Sequence, residues 1–151
     1  LNYEIRAAKH EDLPGILAEL KEFAKFYNSK TSLFGDEDHA KKFISKVIDD
    51  HFFIVAVSPD DNGILGFISG MIFPHIYNPA IMTLVESFWW VKPDFRTGKI
   101  GKHLLDEFVE YGKANADWII TTLEDESPVN DSVFLNRGFK NKERNFILEV
   151  N

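Results

Sequence analysis

Along the chain the apolar positions change period several times, and each change marks an element. Tyr3-Glu-Ile-Arg-Ala7 alternates with period two and predicts a short strand, after which Leu13, Ile16, Leu17, Leu20, Phe23, Ala24 and Tyr27 recur at helical spacing. Gly15 lies inside that stripe and weakens the helix without ending it. Asn28-Ser-Lys-Thr-Ser32 breaks the pattern. Asp36, Glu37 and Asp38 then give an acidic first turn ahead of Phe43, Ile44 and Val47, which predicts a second helix.

The middle of the chain reads as β-structure. Phe52–Val57 is a β-branched and aromatic run, Pro59-Asp-Asp-Asn-Gly63 is a cluster of turn formers, and Ile64–Phe73 is a second such run, so the three form a hairpin. Pro74–Pro79 interrupts, and Met82–Val91 is too β-prone to prefer a helix. Ile100, Leu104, Leu105, Phe108 and Tyr111 return to helical spacing. Trp118–Leu123 predicts another strand, Ser127-Pro128 a helix cap and first turn, and Phe146–Val150 a final strand. The order β-α-α-β-β-β-α-β-α-β puts helices against a mixed sheet, an α+β or α/β sandwich in a single domain over residues 1–151.

Composition narrows the function classes. With 44% hydrophobic and 27% charged residues, fourteen Phe and three Trp, the chain is an ordinary globular protein with an unusually aromatic core. A net charge of −7 argues against a nucleic-acid groove, which recruits clustered Lys and Arg, and is compatible with an amine-bearing acceptor. No apolar run approaches the ~18 residues that span a bilayer, and the first residues lack a signal-peptide pattern, so no membrane partner is expected. The chain has no Cys, which removes disulfides, thiolate metal ligands and a Cys-acyl intermediate and fits a reducing, cytoplasmic compartment. The five His show no metal-ligand spacing, so no metal is expected.

The segment Val91-Lys-Pro-Asp-Phe-Arg-Thr-Gly-Lys-Ile-Gly-Lys-His-Leu-Leu105 carries the chemistry. A strand, a turn with Gly98 and Gly101, and a helix beginning near Gly101 direct free backbone N–H groups at one spot, and the helix dipole adds to their attraction for an anion. Arg96, Lys99 and Lys102 bring positive charge there. The spacing and missing hydroxyl exclude a P-loop, and the dinucleotide fingerprint G-x-G-x-x-G is absent.

This segment resembles the acyl-CoA loop of the GNAT superfamily of N-acetyltransferases, V-x-P-x-x-R-G-x-G-[IV]-G-x-x-L-L. Val91, Pro93, Arg96, Ile100, Gly101, Leu104 and Leu105 match it, whereas Lys99 stands where the first Gly of the final G-x-G is usual. Downstream, Phe134-Leu-Asn-Arg-Gly-Phe139 is similar to the family's Y-x-x-x-G-F element. The resemblance implies a splayed central sheet, acetyl-CoA as acyl donor, and direct transfer of its acetyl group to a primary amine of a small molecule or peptide. Its pantetheine arm would pair with the strand containing Phe88, Trp89, Trp90 and Val91. Its pyrophosphate would rest on the N–H groups of Arg96, Thr97, Gly98, Lys99, Ile100, Gly101 and Lys102, and an N–H near Trp90 or Val91 would polarise the thioester carbonyl.

Direct transfer needs a neutral amine, hence a base. Glu86 lies on the strand leading to the acyl site among Val85, Phe88 and Trp89, where burial can raise its pKa; Glu124, at a strand end, is the alternate. Phe134 occupies the position where the family often has a Tyr that protonates the departing thiolate, and Phe donates no proton. Where the family's preceding helix often begins with Asn, Ser127 stands instead, read as a cap, with Asn130 nearby and out of that register. Asn130 and Phe134 are grouped with the cofactor-binding residues. His75 and Tyr77, in the loop between two strands, are candidate acceptor contacts. Phe134 and Lys99 also motivate two rivals, an acyl-CoA-binding protein with little catalysis and a non-enzymatic interaction domain. A homodimer is compatible with all three.

Overall fold

The computed structural model describes residues 1–25 and 33–150. The elements are β1 (Glu4–Ala7), α1 (Leu13–Ala24), α2 (Glu37–Asp50), β2 (Phe52–Val57), β3 (Ile64–Pro74), β4 (Met82–Val91), α3 (Ile100–Asn115), β5 (Trp118–Ile120) and α4 (Ser132–Leu135), with 3-10 turns at His10–Asp12 and Pro93–Phe95. This is the expected order without its last strand. The Asn28–Ser32 break and Tyr27 lie outside the described residues.

The strands form one mixed sheet in sequence order. β1 to β4 pair antiparallel with their neighbours, and β5 joins β4 in parallel. Asp12 fixes the entry into α1: its carboxylate accepts two hydrogen bonds from the Arg6 guanidinium, at 2.7 and 2.9 Å, and one from the Lys9 N–H at 2.8 Å. Asp36 caps α2, its Oδ1 accepting from the His39 N–H at 2.9 Å, as an acidic N-cap should. Each face of the sheet carries its own core. α1 and α2 bury Ile16, Leu17, Leu20, Ile44 and Val47 against Val55, Phe67 and Trp90, while α3 buries Ile100, Leu104, Leu105 and Phe108 against Ile54, Ile68 and Leu84.

One irregularity sets up the site. Ser69 lies opposite Phe88 and Gly70 opposite Glu86, which leaves Ser87 as an extra residue in β4. Strict alternation would put Leu84, Glu86, Phe88 and Trp90 on one face. Instead Leu84 packs in the α3 core, whereas Phe88 and Trp90 belong to the α1/α2 core. The bulge switches faces between Glu86 and Phe88. Trp89 and Trp90 then point to opposite cores, as adjacent strand residues must.

Two expectations are corrected. Phe146–Val150 forms no strand: residues 140–150 have no helix or strand and are exposed, since strand preference alone does not make a strand where no described strand pairs with the segment. The last helix starts at Ser132, not at Ser127-Pro128. Asn130 Oδ1 accepts from the Ser132 N–H at 2.9 Å, while Ser127 Oγ accepts from the Val129 N–H in a local turn. Pro128 favours such a turn as readily as a first helical position.

Candidate active site

β4 and β5 separate. Their register runs Thr83–Trp118, Leu84–Ile119 and Val85–Ile120 and stops there, so among the described residues β4 from Glu86 to Val91 is paired with β3 on one side and has no strand on the other. The gap opens into a cavity of about 530 Å³ between the end of β4, the first turn of α3 and the segment 122–133. This is the splay expected from the sequence.

At one end the cavity meets the N-terminus of α3. Ile100, Gly101 and Lys102 open that helix, and Lys99 provides no side-chain cap, so their amides lack intrahelical partners. Gly98, Gly101 and Lys102 line the cavity. Neither glycine has positive φ, so the loop does not need them for its backbone. What they contribute is open approach: a Cβ on Gly101 would meet its nearest neighbour, Val91 Cγ2, only at 3.5 Å. The Trp89 indole N–H donates to the Gly101 carbonyl at 3.2 Å, tying α3 to β4. Arg96 Nε donates to the Val91 carbonyl at 2.9 Å, and its guanidinium lies 4.4 Å from the Trp90 ring centroid. Arg96 thus acts first as a brace for the strand end.

The opposite end is acidic. Glu86 accepts from the Thr122 N–H at 3.4 Å, and burial, reinforced by the neighbouring Glu124 charge, pushes its carboxyl up to about 7, against the partial opposition of that N–H. Glu124 Oε1 is buried without a hydrogen-bond partner among the described residues. Two carboxylates therefore share a partly desolvated end, and one is poised to exchange a proton near neutral pH.

Of the residues expected here, Glu86, Glu124, Trp89, Trp90, Val91, Arg96, Gly98, Gly101, Lys102 and Asn130 line the cavity. Others do not. Phe88 is turned by the bulge toward Phe23 and the α1/α2 core, Ile100 is wholly buried beneath the loop, and Thr97 and Lys99 are exposed beside it. Phe134 is core: its ring packs edge-on to Trp89 and Phe139 at 5.7 and 5.5 Å, and it supports the cavity wall from behind. Gly138, at φ +88°, makes the turn that brings Phe139 there. His75 and Tyr77 lie in the β3–β4 loop, beyond Met82 and away from the Val91 end. His75 packs on Trp118, Tyr77 is exposed, and neither reaches the cavity.

Sequence reasoning missed Phe23, Ser87, Thr122, Leu123, Val129 and Val133, all of which line the cavity. Phe23 belongs to an apolar helical stripe and reads as core, Ser87 owes its place to the bulge, and 122–133 lacks a periodic pattern. A pair of hydroxyl residues, Thr121-Thr122, inside the predicted strand Trp118–Leu123 was the available hint.

The comparisons agree with this geometry. The model of the acetyltransferase (GNAT) family matches residues 17–139. Similar folds include a transcriptional regulator from Bacillus halodurans C-125, with TM-score 0.79, 16% identity, and coverage of 98% of this chain and 99% of that one. Glucosamine-6-phosphate N-acetyltransferase from Arabidopsis thaliana has TM-score 0.73 and 20% identity, covering 100% of both chains. A "predicted acetyltransferase with acetyl-CoA" from Clostridium acetobutylicum has TM-score 0.75 and 16% identity, covering 99% of this chain and 97% of that one. At such identities the likeness is one of fold. Among curated proteins, none matches the sequence. With a splayed β4–β5 pair, an open α3 N-terminus and a family match over most of its length, the chain belongs to the GNAT family of acetyltransferases, which use acetyl-CoA as acyl donor.

Proposed function

We propose that the whole chain works as one acyl-CoA-binding domain that transfers an acetyl group directly to a primary amine of a small molecule or peptide, with Glu86 as the base. The observation that carries this reading is the polarity of the cavity: open helix amides with Arg96 and Lys102 at one end, and Glu86 with Glu124 at the other. An anionic pyrophosphate suits the first end and an ammonium the second. Between them, the edge of β4 that no described strand covers offers backbone donors and acceptors to an amide-bearing arm.

When bound, the donor supplies an activated thioester carbonyl. The protein's part is to hold it by the Ile100–Lys102 amides that open α3 and by the β4 edge, and to keep the reacting end away from bulk water behind Trp89, Leu123 and Val133. Glu86 would accept one proton from the acceptor ammonium, freeing the nitrogen lone pair to attack the thioester carbonyl; as the C–N bond forms and the C–S bond breaks, the second proton would pass from the nitrogen to solvent, with the thiolate as leaving group. Phe134, buried in the core, gives that thiolate no proton. Its low basicity lets it depart unaided or take a proton from solvent.

The test is an acetyl-CoA turnover screen over small amines, polyamines, aminoglycosides and peptide N-termini, reading out free CoA. Turnover with at least one amine, reduced roughly 100-fold or more in Glu86→Gln as expected for loss of a general base, supports the reading. An active Glu86→Gln variant with an unchanged pH–rate profile refutes the assigned base.

A further inference from the structure

The end of β4 is held from three elements, and one of them supplies its hold from outside the cavity. The Lys92 N–H donates to the Leu65 carbonyl of β3 at 2.9 Å, and Phe67 lies opposite Trp90. Alternation therefore turns the backbone groups of Trp90 toward β3 and those of Trp89 and Val91 toward the gap. The Trp89 indole is tied to α3 through the Gly101 carbonyl, and the Val91 carbonyl accepts from Arg96 in the loop. The third hold is Glu19 of α1. Its Oε2 accepts from the Trp90 indole N–H at 2.8 Å, and its Oε1 lies 3.4 Å from Lys92 Nζ. Trp90 and Lys92 flank Val91 and share one strand face, so a single carboxylate spans the residue between them.

Glu19 is an unexpected place for a charge. Ile16, Glu19 and Phe23 form one row of α1, where an apolar residue would extend the buried stripe. The Glu19 side chain is 13% exposed, against 48–70% for the carboxylates paired with Lys elsewhere among the described residues. Withdrawing a carboxylate from water is costly unless its bonds replace the lost solvation, and here both oxygens are engaged by the strand end. Phe23, one turn on, packs edge-on to the Trp90 ring at 5.7 Å, so α1 grips the indole at its ring and at its N–H. Glu19 does not itself line the cavity. It reaches the site through Trp90 and Lys92.

We propose that Glu19 is a positioning residue of the acyl-donor site: by holding Trp90 and Lys92 from α1, it fixes the gap-facing amides of Trp89 and Val91 that polarise the thioester carbonyl. This rests on the acyl-donor reading of the cavity. A donor aimed at a developing oxyanion works only when its direction is set before the reaction, and a strand edge without an outer strand needs such a hold from its faces.

The test reads polarisation without an acceptor amine. Thermal melts establish that each protein is folded, and calorimetry measures acetyl-CoA binding. Infrared difference spectra of bound acetyl-CoA, isotope-labelled at the thioester carbonyl, then report how strongly that carbonyl is polarised. The wild type should move the carbonyl stretch to lower frequency than in water. Glu19→Ala should bind with little change in affinity yet lose about half or more of that displacement, and Glu19→Gln, which keeps an oxygen for the Trp90 indole, should recover most of it. With any amine that turns over, Glu19→Ala should lower kcat roughly tenfold with little change in KM for acetyl-CoA. If Glu19→Ala does not fold, Trp90→Phe, which removes the indole donor and keeps a ring, takes its place with the same expectation. A wild type that binds acetyl-CoA and a folded variant with an equal displacement overturn the proposal and leave the acyl-donor reading standing. Affinity and displacement lost in step also overturn it, since a merely structural role gives that result. A wild type that binds no acetyl-CoA overturns both.

Discussion

Replacing Glu86 by Gln should stabilise the protein in alkaline solution while crippling it. Burial beside Glu124 lifts the Glu86 carboxyl from its ordinary 4.5 to about 7, so the folded state holds this proton more tightly than the unfolded state does. Below about pH 4.5 the group is protonated in both states and costs nothing. As pH rises the unfolded chain ionises first, and above 7 the folded protein bears the full cost of a buried charge. At about 1.4 kcal/mol per pH unit, that cost is about 3 kcal/mol. Gln removes the charge and keeps an oxygen for the Thr122 N–H. For a chain of this length, each kcal/mol moves Tm by roughly 2–4 °C. Thermal melts of wild type and Glu86→Gln from pH 5 to 9 should therefore differ by only about 2–3 °C at pH 5 and separate by roughly 6–12 °C at pH 8.5, with the variant higher. A difference that does not change with pH would refute the claim that Glu86 titrates near neutrality.

Gly101→Ala should fold normally, because its Cβ has room, whereas Gly101→Asp should weaken CoA binding at least tenfold in calorimetry by setting a carboxylate against the anion site. Gly70→Ala should destabilise by about 1–3 kcal/mol in urea unfolding, since its Cβ would lie 2.6 Å from Phe108 and 2.9 Å from the Val85 carbonyl. Gly98→Ala, meeting nothing closer than 3.5 Å, is the matched control and should change stability little. Asp12→Asn breaks a twofold bond to Arg6 at a buried position and should cost about 3 kcal/mol at pH 7. Arg6 holds the Asp12 carboxyl below its ordinary value, so this loss should shrink as pH falls below 4.

The sequence made the donor half of the site legible and the acceptor half only partly so. Val91–Leu105 carries its geometry locally: a strand end, a turn and a helix start follow from residue types, and Ile100, Leu104 and Leu105 pack where a helical stripe must. Glu86 was placed by its apolar neighbours. Which face it occupies depends on the bulge at Ser87, a register shift set by pairing with Ser69 and Gly70 that no property of Ser87 announces. Phe23 joins the cavity from a helix distant in sequence, and 122–133 holds its wall with turns rather than a periodic element. Phe146–Val150 shows the opposite failure, in which strand preference is present and no described strand pairs with it.

The central claim is that the cavity between β4 and β5, closed at one end by the α3 amides, holds the acyl donor. Calorimetric titration of acetyl-CoA tests it most directly, with Gly101→Asp as comparison and thermal melts to establish that both proteins are folded. The account predicts saturable binding of one acetyl-CoA per chain to the wild type, weakened at least tenfold in the folded variant. No binding to the wild type, or equal binding to both, would contradict it.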